Sequence, residues 1–227
     1  MSDVTIWEHQ LFEGLSESQQ VWLSERSAHK VVTPKSTIFQ PDDLASEFYL
    51  IHQGKVKVEV LDGPKNWFIR DFLLPDDFFG INGLLGQPVH RAYARSLRSP
   101  VELCIFNNAD LRRLMEVNFD FAEKILTLAA QKTIHLEQRT VDISTRSAME
   151  RLSTFITNQI EEEGEFDGQD WFYNSEITQE EIGAYIGTGR QTVTEILTEL
   201  KAKNILTYNW GKFWVHDLDG LKELVLK

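Results

Sequence analysis

A chain of 227 residues with 42% hydrophobic and 26% charged side chains is sized for one or two soluble globular domains, two being favoured. No run of about 18 apolar residues is present, which excludes a membrane span, and the opening MSDVTIWEHQ lacks a basic stretch followed by an apolar one, so no secretory signal is expected and the cytoplasm is the default compartment. The net charge of −12 argues against a nucleic-acid partner for the chain as a whole, yet residues 189–212 carry +2 against −14 elsewhere, which leaves room for a local positive face on an acidic body.

In chain order, helical spacing opens at Leu11 and Leu15 and continues through Val21, Trp22 and Leu23, with Ser16 placed as a cap. From about residue 31 the period falls to two. LIHQGKVKVEVLDG alternates charged and apolar residues from Lys55 to Val60, Asp62-Gly63 reads as a hairpin turn, and NWFIRDFLL is a further strand ended by Pro75-Asp76-Asp77. FFGINGLLGQP is glycine-rich, and HRAYARSL and VELCIF add strands, so residues 1–118 predict a small antiparallel barrel or roll.

Asn108 is placed to cap a helix through LRRLMEV. After Asn118 comes a stretch without Gly or Pro, residues 119–143, with an apolar stripe of Ile125, Ala129, Leu136 and Ile143 interrupted by Lys132 and Arg139. Its length suits a connector that pairs with a partner. The acidic EEEGEFDGQD at 161–170 reads as a solvated loop.

Cys104 is the sole cysteine and lies in an apolar strand, so it is read as a buried small hydrophobe. The six histidines include no closely spaced pair, and no local metal-ligand motif exists.

The informative segment is ITQEEIGAYIGTGRQTVTEILTELKAKNILTYNWGKFWVHDL, residues 177–218. Thr178 and Glu181 have capping-box spacing ahead of a short helix that buries Ile182 and Ile186. Gly187-Thr188-Gly189 makes a tight turn, and Thr188 with Gln191 reads as a second capping box. The second helix buries Val193, Ile196, Leu197 and Leu200 and exposes Arg190, Gln191, Thr194, Glu195 and Thr198. Two short helices joined by three residues form a helix-turn-helix, and the exposed face starts with side chains suited to base edges. Strand, Asn209-Trp210-Gly211-Lys212 turn and strand follow as a wing, with Lys212 at its tip in reach of a phosphate.

These residues resemble the CRP/FNR family of bacterial transcription regulators. The match runs through Thr178, Glu181-Ile182-Gly183, Gly187 and Arg190-Gln191-Thr192-Val193, and through LIHQGKVKV and DDFFGINGLLG in the first half, so it covers nearly the whole chain. The resemblance implies an α+β fold with three parts in order. These are an N-terminal cyclic-nucleotide-binding-like β-roll (1–118), a dimerisation helix (119–143) and a C-terminal winged helix-turn-helix (144–227). It also implies a homodimer on a near-palindromic double-stranded DNA operator, with RNA polymerase as a further partner, no membrane and no enzymatic activity. Arg190, Gln191, Thr194 and Glu195 fall where the family reads bases, and Thr178, Thr192 and Lys212 near the phosphates. The family often has Glu where Gln191 stands and Arg where Glu195 stands, which implies a different operator.

In the cyclic-AMP-binding members, a Glu follows the first glycine of the glycine-rich turn and holds the ribose, and an Arg-Ser pair holds the phosphate. Here those positions are Gly80-Ile81-Asn82 and Arg91-Ala92, and Leu136-Glu137 stand near the adenine contacts. Arg91 is kept and the sugar contact is not, so an effector other than cyclic AMP is expected, with a salt bridge from Arg91 to Asp76 or Asp77 as the structural alternative. One cysteine, and no match of Cys104 or His90 to the family's haem ligands, imply neither an iron–sulfur cluster nor haem. Two other readings stay open: a relative with no small effector, and a β-barrel enzyme with an appended interaction module, for which the His-x-His strand of a cupin is missing.

Overall fold

The computed structural model describes residues 9–62, 66–209 and 211–225. The chain divides into two compact units, Met1–His135 and Leu136–Lys227.

The first unit is built on two antiparallel four-stranded sheets. One is ordered β1 (Ala28–Val32), β8 (Val101–Asn107), β3 (Glu47–Gln53), β6 (Phe78–Phe79), and the other β2 (Thr37–Phe39), β7 (Tyr93–Ser96), β4 (Val56–Asp62), β5 (Asn66–Leu73). Tyr49, Ile51 and Leu103 face the space between the sheets with Phe39, Val56, Val58 and Leu73. Phe48, Leu50, Cys104 and Phe106 alternate with them and face the opposite way, into a second cluster with Leu23, Leu111, Leu114, Phe121 and Ile125. That is why β3 and β8 read as continuous apolar runs while β4, whose outer face carries Lys57 and Glu59, alternates: a strand covered on both faces loses its period of two.

The longer helices of the second cluster are α1 (Glu17–Ser24), α3 (Asn108–Val117) and the first half of α4 (Phe119–Thr145), joined by Ile81 and Leu84 of a four-residue helix. Ser16 caps α1 in a reciprocal box with Gln19. The cap of α3 is Asn107, whose Oδ1 accepts from the Ala109 N–H at 2.8 Å, and not the expected Asn108. Asn108 is instead buried and donates to the Ala45 carbonyl at 2.9 Å, so its amide fastens a loop and is not free to cap. Cys104 is fully buried, with its thiol pushed up to about 11 by desolvation and the Glu102 charge.

Helix α4 runs 27 residues, two beyond the expected end, which at 1.5 Å per residue is about 40 Å. The stripe containing Ile125 turns out to be the face it packs against the chain itself. Phe121, Ile125 and Leu128 are buried, Lys132 forms an ion pair with Asp71 of β5, and Arg139 lies 4.1 Å over the Tyr185 ring. The two charges that interrupt the stripe are therefore anchors of that face. A second set of apolar residues is exposed at near-heptad spacing: Phe119 (78% exposed), Leu126 (57%), Ile134 (64%) and Val141 (51%), with Ala130 among them, while Ile143 of the first stripe is also exposed, at 43%.

The second unit contains α5 (Ala148–Glu163), α6 (Gln179–Ile186), α7 (Arg190–Ala202) and α8 (Leu218–Glu223), with a sheet ordered β11 (Leu206–Asn209), β12 (Lys212–Val215), β10 (Trp171–Asn174), β9 (Glu165–Phe166). The acidic segment expected to be a loop is partly ordered structure: residues 161–163 complete α5 and Glu165–Phe166 pair with β10. Of the two hairpin turns read from the sequence, Gly63 and Trp210 lie outside the described residues.

Candidate nucleic-acid interface

Helix α6 starts as expected. The Thr178 hydroxyl accepts from the Glu181 N–H at 3.1 Å, and Glu181 Oε2 accepts from the Thr178 N–H at 2.8 Å and its hydroxyl at 2.9 Å. Ile182 and Ile186 are buried. Gly187 closes the helix in the left-handed region at φ +72°, and the Thr188 N–H returns to the Gly183 carbonyl at 2.9 Å. A Cβ on Gly183 would sit 2.8 Å from the Thr188 oxygen, so the turn closes only over glycine. The second capping box does not form. Helix α7 begins at Arg190 with Gly189 as its cap and no side-chain bond, which leaves Thr188 one residue too early.

Val193, Ile196, Leu197 and Leu200 are buried, and Arg190, Gln191, Thr194, Glu195 and Thr198 are exposed. Arg190 stands in the first turn of α7, at the positive end of the helix dipole. Gln191 Nε2 donates to Glu195 Oε1 at 3.0 Å, and the Thr194 hydroxyl bonds Gln179 Oε1 at 2.6 Å. Thr194 is thus tied to α6, Gln191 and Glu195 form a pair that must trade partners to touch a base, and Thr192 is half-buried. Lys212 is the first residue of β12 and pairs with Asn209, the last residue of β11, so it flanks the turn at the end of the wing. Its ammonium rests 3.9 Å from the Phe172 ring centroid and 5.1 Å from that of Trp214.

In the roll, Gly80 (φ +87°) leads into a four-residue helix, α2 (Ile81–Leu84). Arg112 holds its end, donating to the carbonyls of Leu84 at 3.0 Å and Gly83 at 2.6 Å. Ile81 and Ala92 are 9% and 4% exposed and belong to the two hydrophobic clusters, while Asn82 and Arg91 are exposed. Among the described residues Arg91 makes no ion pair with Asp76 or Asp77: Asp76 accepts from His9 through its carbonyl, and Asp77 accepts from the Leu74 N–H. Beneath Gly80 lie aromatic rings. Tyr49 stacks on Phe79 at 4.7 Å and donates to Glu47 at 2.7 Å, and His90 stacks on Phe39 at 3.6 Å.

Two family models match, the cyclic nucleotide-binding domain over residues 29–118 and the Crp-like helix-turn-helix domain over residues 150–224. The chain belongs to the CRP/FNR family. Its relatives include the cAMP-activated global transcriptional regulator CRP of Pasteurella multocida, 27% identical over 82% of this chain and 88% of that one. Another is the transcriptional regulatory protein Btr of Bordetella pertussis, 21% identical over 83% and 77%. The solved structure of FixK2 from Bradyrhizobium japonicum shares the fold at a TM-score of 0.78 and 22% identity, over 87% of this chain and 96% of that one. This CRP/FNR chain is a transcription regulator, and the family is not one of enzymes. No helix among the described residues is long and apolar enough to cross a membrane.

Two features of this CRP/FNR structure had no signal in the sequence. Gln179, beside the expected Thr178, reaches the exposed face of α7 through Thr194. His90 is buried against Phe39, and desolvation holds its imidazole below the ordinary value, outweighing Asp43 and Glu47. An imidazole whose folded value is depressed has no effect at pH 8. As pH falls through the unfolded value of about 6.5, the unfolded chain takes up a proton the folded one resists, and stability falls. His90→Phe is therefore expected to flatten the decline in melting temperature between pH 7 and 5, measured by calorimetry. An unchanged slope would assign that decline to other groups.

Proposed function

We propose that this chain is a homodimeric, sequence-specific DNA-binding regulator whose β-roll responds to a small effector or signal other than cyclic AMP. The observation that carries the DNA reading is α7: a helix seated by four buried aliphatic residues, with Arg190, Gln191 and Glu195 exposed on its free face. The Arg190 fork suits guanine O6 and N7, the Gln191 amide suits adenine N6 and N7, and the Glu195 carboxylate, an acceptor only, suits cytosine N4. Thr178, Thr192 and Lys212 are assigned to the phosphates, which requires Lys212 to leave its rings and Thr178 to share its capping hydroxyl. The exposed stripe of α4 supports pairing of two chains, and a two-fold pair reads a near-palindrome with half-sites about 34 Å apart. RNA polymerase is a further partner in this reading, and the cytoplasm its compartment. A single cysteine cannot supply the thiolates of an iron–sulfur cluster, and neither a cluster nor haem is part of the proposal.

Against cyclic AMP stands Ile81, packed in the core where a carboxylate would have to meet the ribose. Losing a charge-assisted hydrogen bond and leaving a hydroxyl desolvated together weaken binding by roughly two to four powers of ten. Titration calorimetry is expected to show no micromolar binding of cyclic AMP or cyclic GMP. A micromolar dissociation constant abolished by Arg91→Ala would overturn this part of the proposal and leave the DNA reading standing.

A further inference from the structure

The C-terminal ends of α4 and α6 are served by one side chain, Arg151 of α5. Its Nε donates to the Ile186 carbonyl at 2.6 Å and its Nη2 to that of Gly187 at 3.4 Å, both at the end of α6. Its Nη1 donates to the Ile143 carbonyl at 3.4 Å and to that of Arg146, at the end of α4. The last carbonyls of a helix have no partner within it and carry the negative end of its dipole. Two such ends facing one point repel each other unless a cation stands between them, and a guanidinium, with five donors in a planar fork, can bond both at once. A second guanidinium acts on the same stretch: Arg139 of α4 donates to the Tyr185 carbonyl and covers its ring. A Cβ added at Gly187 would meet the Ile143 side chain at 3.6 Å, so this end of α6 lies close beside α4. From Gly187 only Thr188 and Gly189 separate this junction from Arg190, and that turn is itself held by the Thr188–Gly183 bond.

We propose that Arg151 is a positioning residue for operator reading: it fixes the direction of α7 to the end of α4, so that in a dimer paired through α4 the two reading helices are presented at a set spacing. The proposal deepens the reading above and rests on it for the roles of α7 and α4. It also accounts for residues 136–145 of the long helix belonging to the second compact unit. A residue that merely stabilised the unit would lower its melting temperature without changing where α7 points.

The test compares the wild-type chain, Arg151→Ala and Arg151→Lys. Nitroxides introduced by Glu137→Cys and Thr198→Cys, both exposed positions of the second unit, report the distance from α4 to α7 by pulsed electron paramagnetic resonance, in dimers diluted with unlabelled chain. Cys104, fully buried, stays unlabelled. Operator affinity and base preference are measured on a duplex that the wild type selects from a random pool, and on its single-base variants. Arg151→Ala is expected to keep its helix content and dimeric mass, to broaden the distance distribution, and to lose about tenfold or more in affinity, because avidity drops when two modules no longer fit their sites together. Its preference among the single-base variants should not change. Arg151→Lys, a point charge able to serve one helix end at a time, should fall between the two. A folded Arg151→Ala with the wild-type distribution and affinity would overturn the proposal, and so would a loss confined to one base pair, which would make Arg151 a base reader. Should Arg151→Ala not fold, the same readouts on Arg151→Lys decide, wild-type values there being the contrary result. A wild-type chain that selects no duplex would overturn the DNA reading instead, and the distance measurement would still judge the clamp.

Discussion

The double substitution Leu126→Asp with Ile134→Asp is expected to yield a folded monomer at micromolar concentration and to weaken operator binding by about 10²- to 10⁴-fold. Both side chains are more than half exposed on α4, so neither change opens a cavity in the core of its own chain, and the fold should survive. Four carboxylates brought into one paired seam would face each other in a low-dielectric setting, where unpaired charge is strongly unfavourable. With the seam lost, each half-site must be bound separately, and the gain from linking two weak contacts disappears. That range corresponds to about 3–5.5 kcal/mol. Light scattering gives the mass and fluorescence anisotropy the affinity. A double variant that remains dimeric would move the dimer contact away from the exposed stripe.

Arg190→Ala is expected to weaken operator binding and relax its selectivity while leaving the fold intact, since the side chain is exposed and makes no packing contribution to the buried face of α7. One bidentate contact to a base is worth about 1–3 kcal/mol, and a two-fold dimer loses it twice, about 2–6 kcal/mol in all. Discrimination should vanish at one base pair of each half-site, the one predicted to carry guanine, and persist elsewhere. A mobility-shift assay across single-base variants reads this pattern directly. Unchanged affinity with unchanged preference would remove Arg190 from the reading face. On the proposed reading, Glu195 would shape the same selection by repulsion: a carboxylate cannot lie against guanine O6 and N7 or thymine O4, all acceptors, so it would penalise wrong sequences as well as favour cytosine.

What the sequence made legible was local. The Ser16 cap and the Thr178–Glu181 box depend on residues a few positions apart, and both form, Ser16 with Gln19 as its reciprocal partner. The aliphatic face of α7 depends on one helix's own periodicity, and it is buried as read. The Thr188–Gln191 pair misled because a tight turn consumed one residue more than the pattern assumed. On α4 a one-dimensional stripe told that a face is apolar but not which partner covers it. Lys132 and Arg139 looked like defects because their partners, Asp71 and Tyr185, are dozens of residues away in sequence. Arg151 gave no signal at all, since its acceptors are backbone carbonyls, which every residue has. The sheet orders, which place β8 between β1 and β3 and β7 between β2 and β4, likewise depend on long-range pairing that no short pattern encodes.

The most direct test of the central claim is selection of duplexes from a random pool by the purified wild-type chain, followed by sequencing and by the mass of the complex. The account predicts an enriched near-palindrome with half-sites about one helical turn apart, guanine at the position lost in Arg190→Ala, and two chains per duplex. Enrichment of a single unrepeated motif bound by one chain, or no enrichment at all, would contradict it.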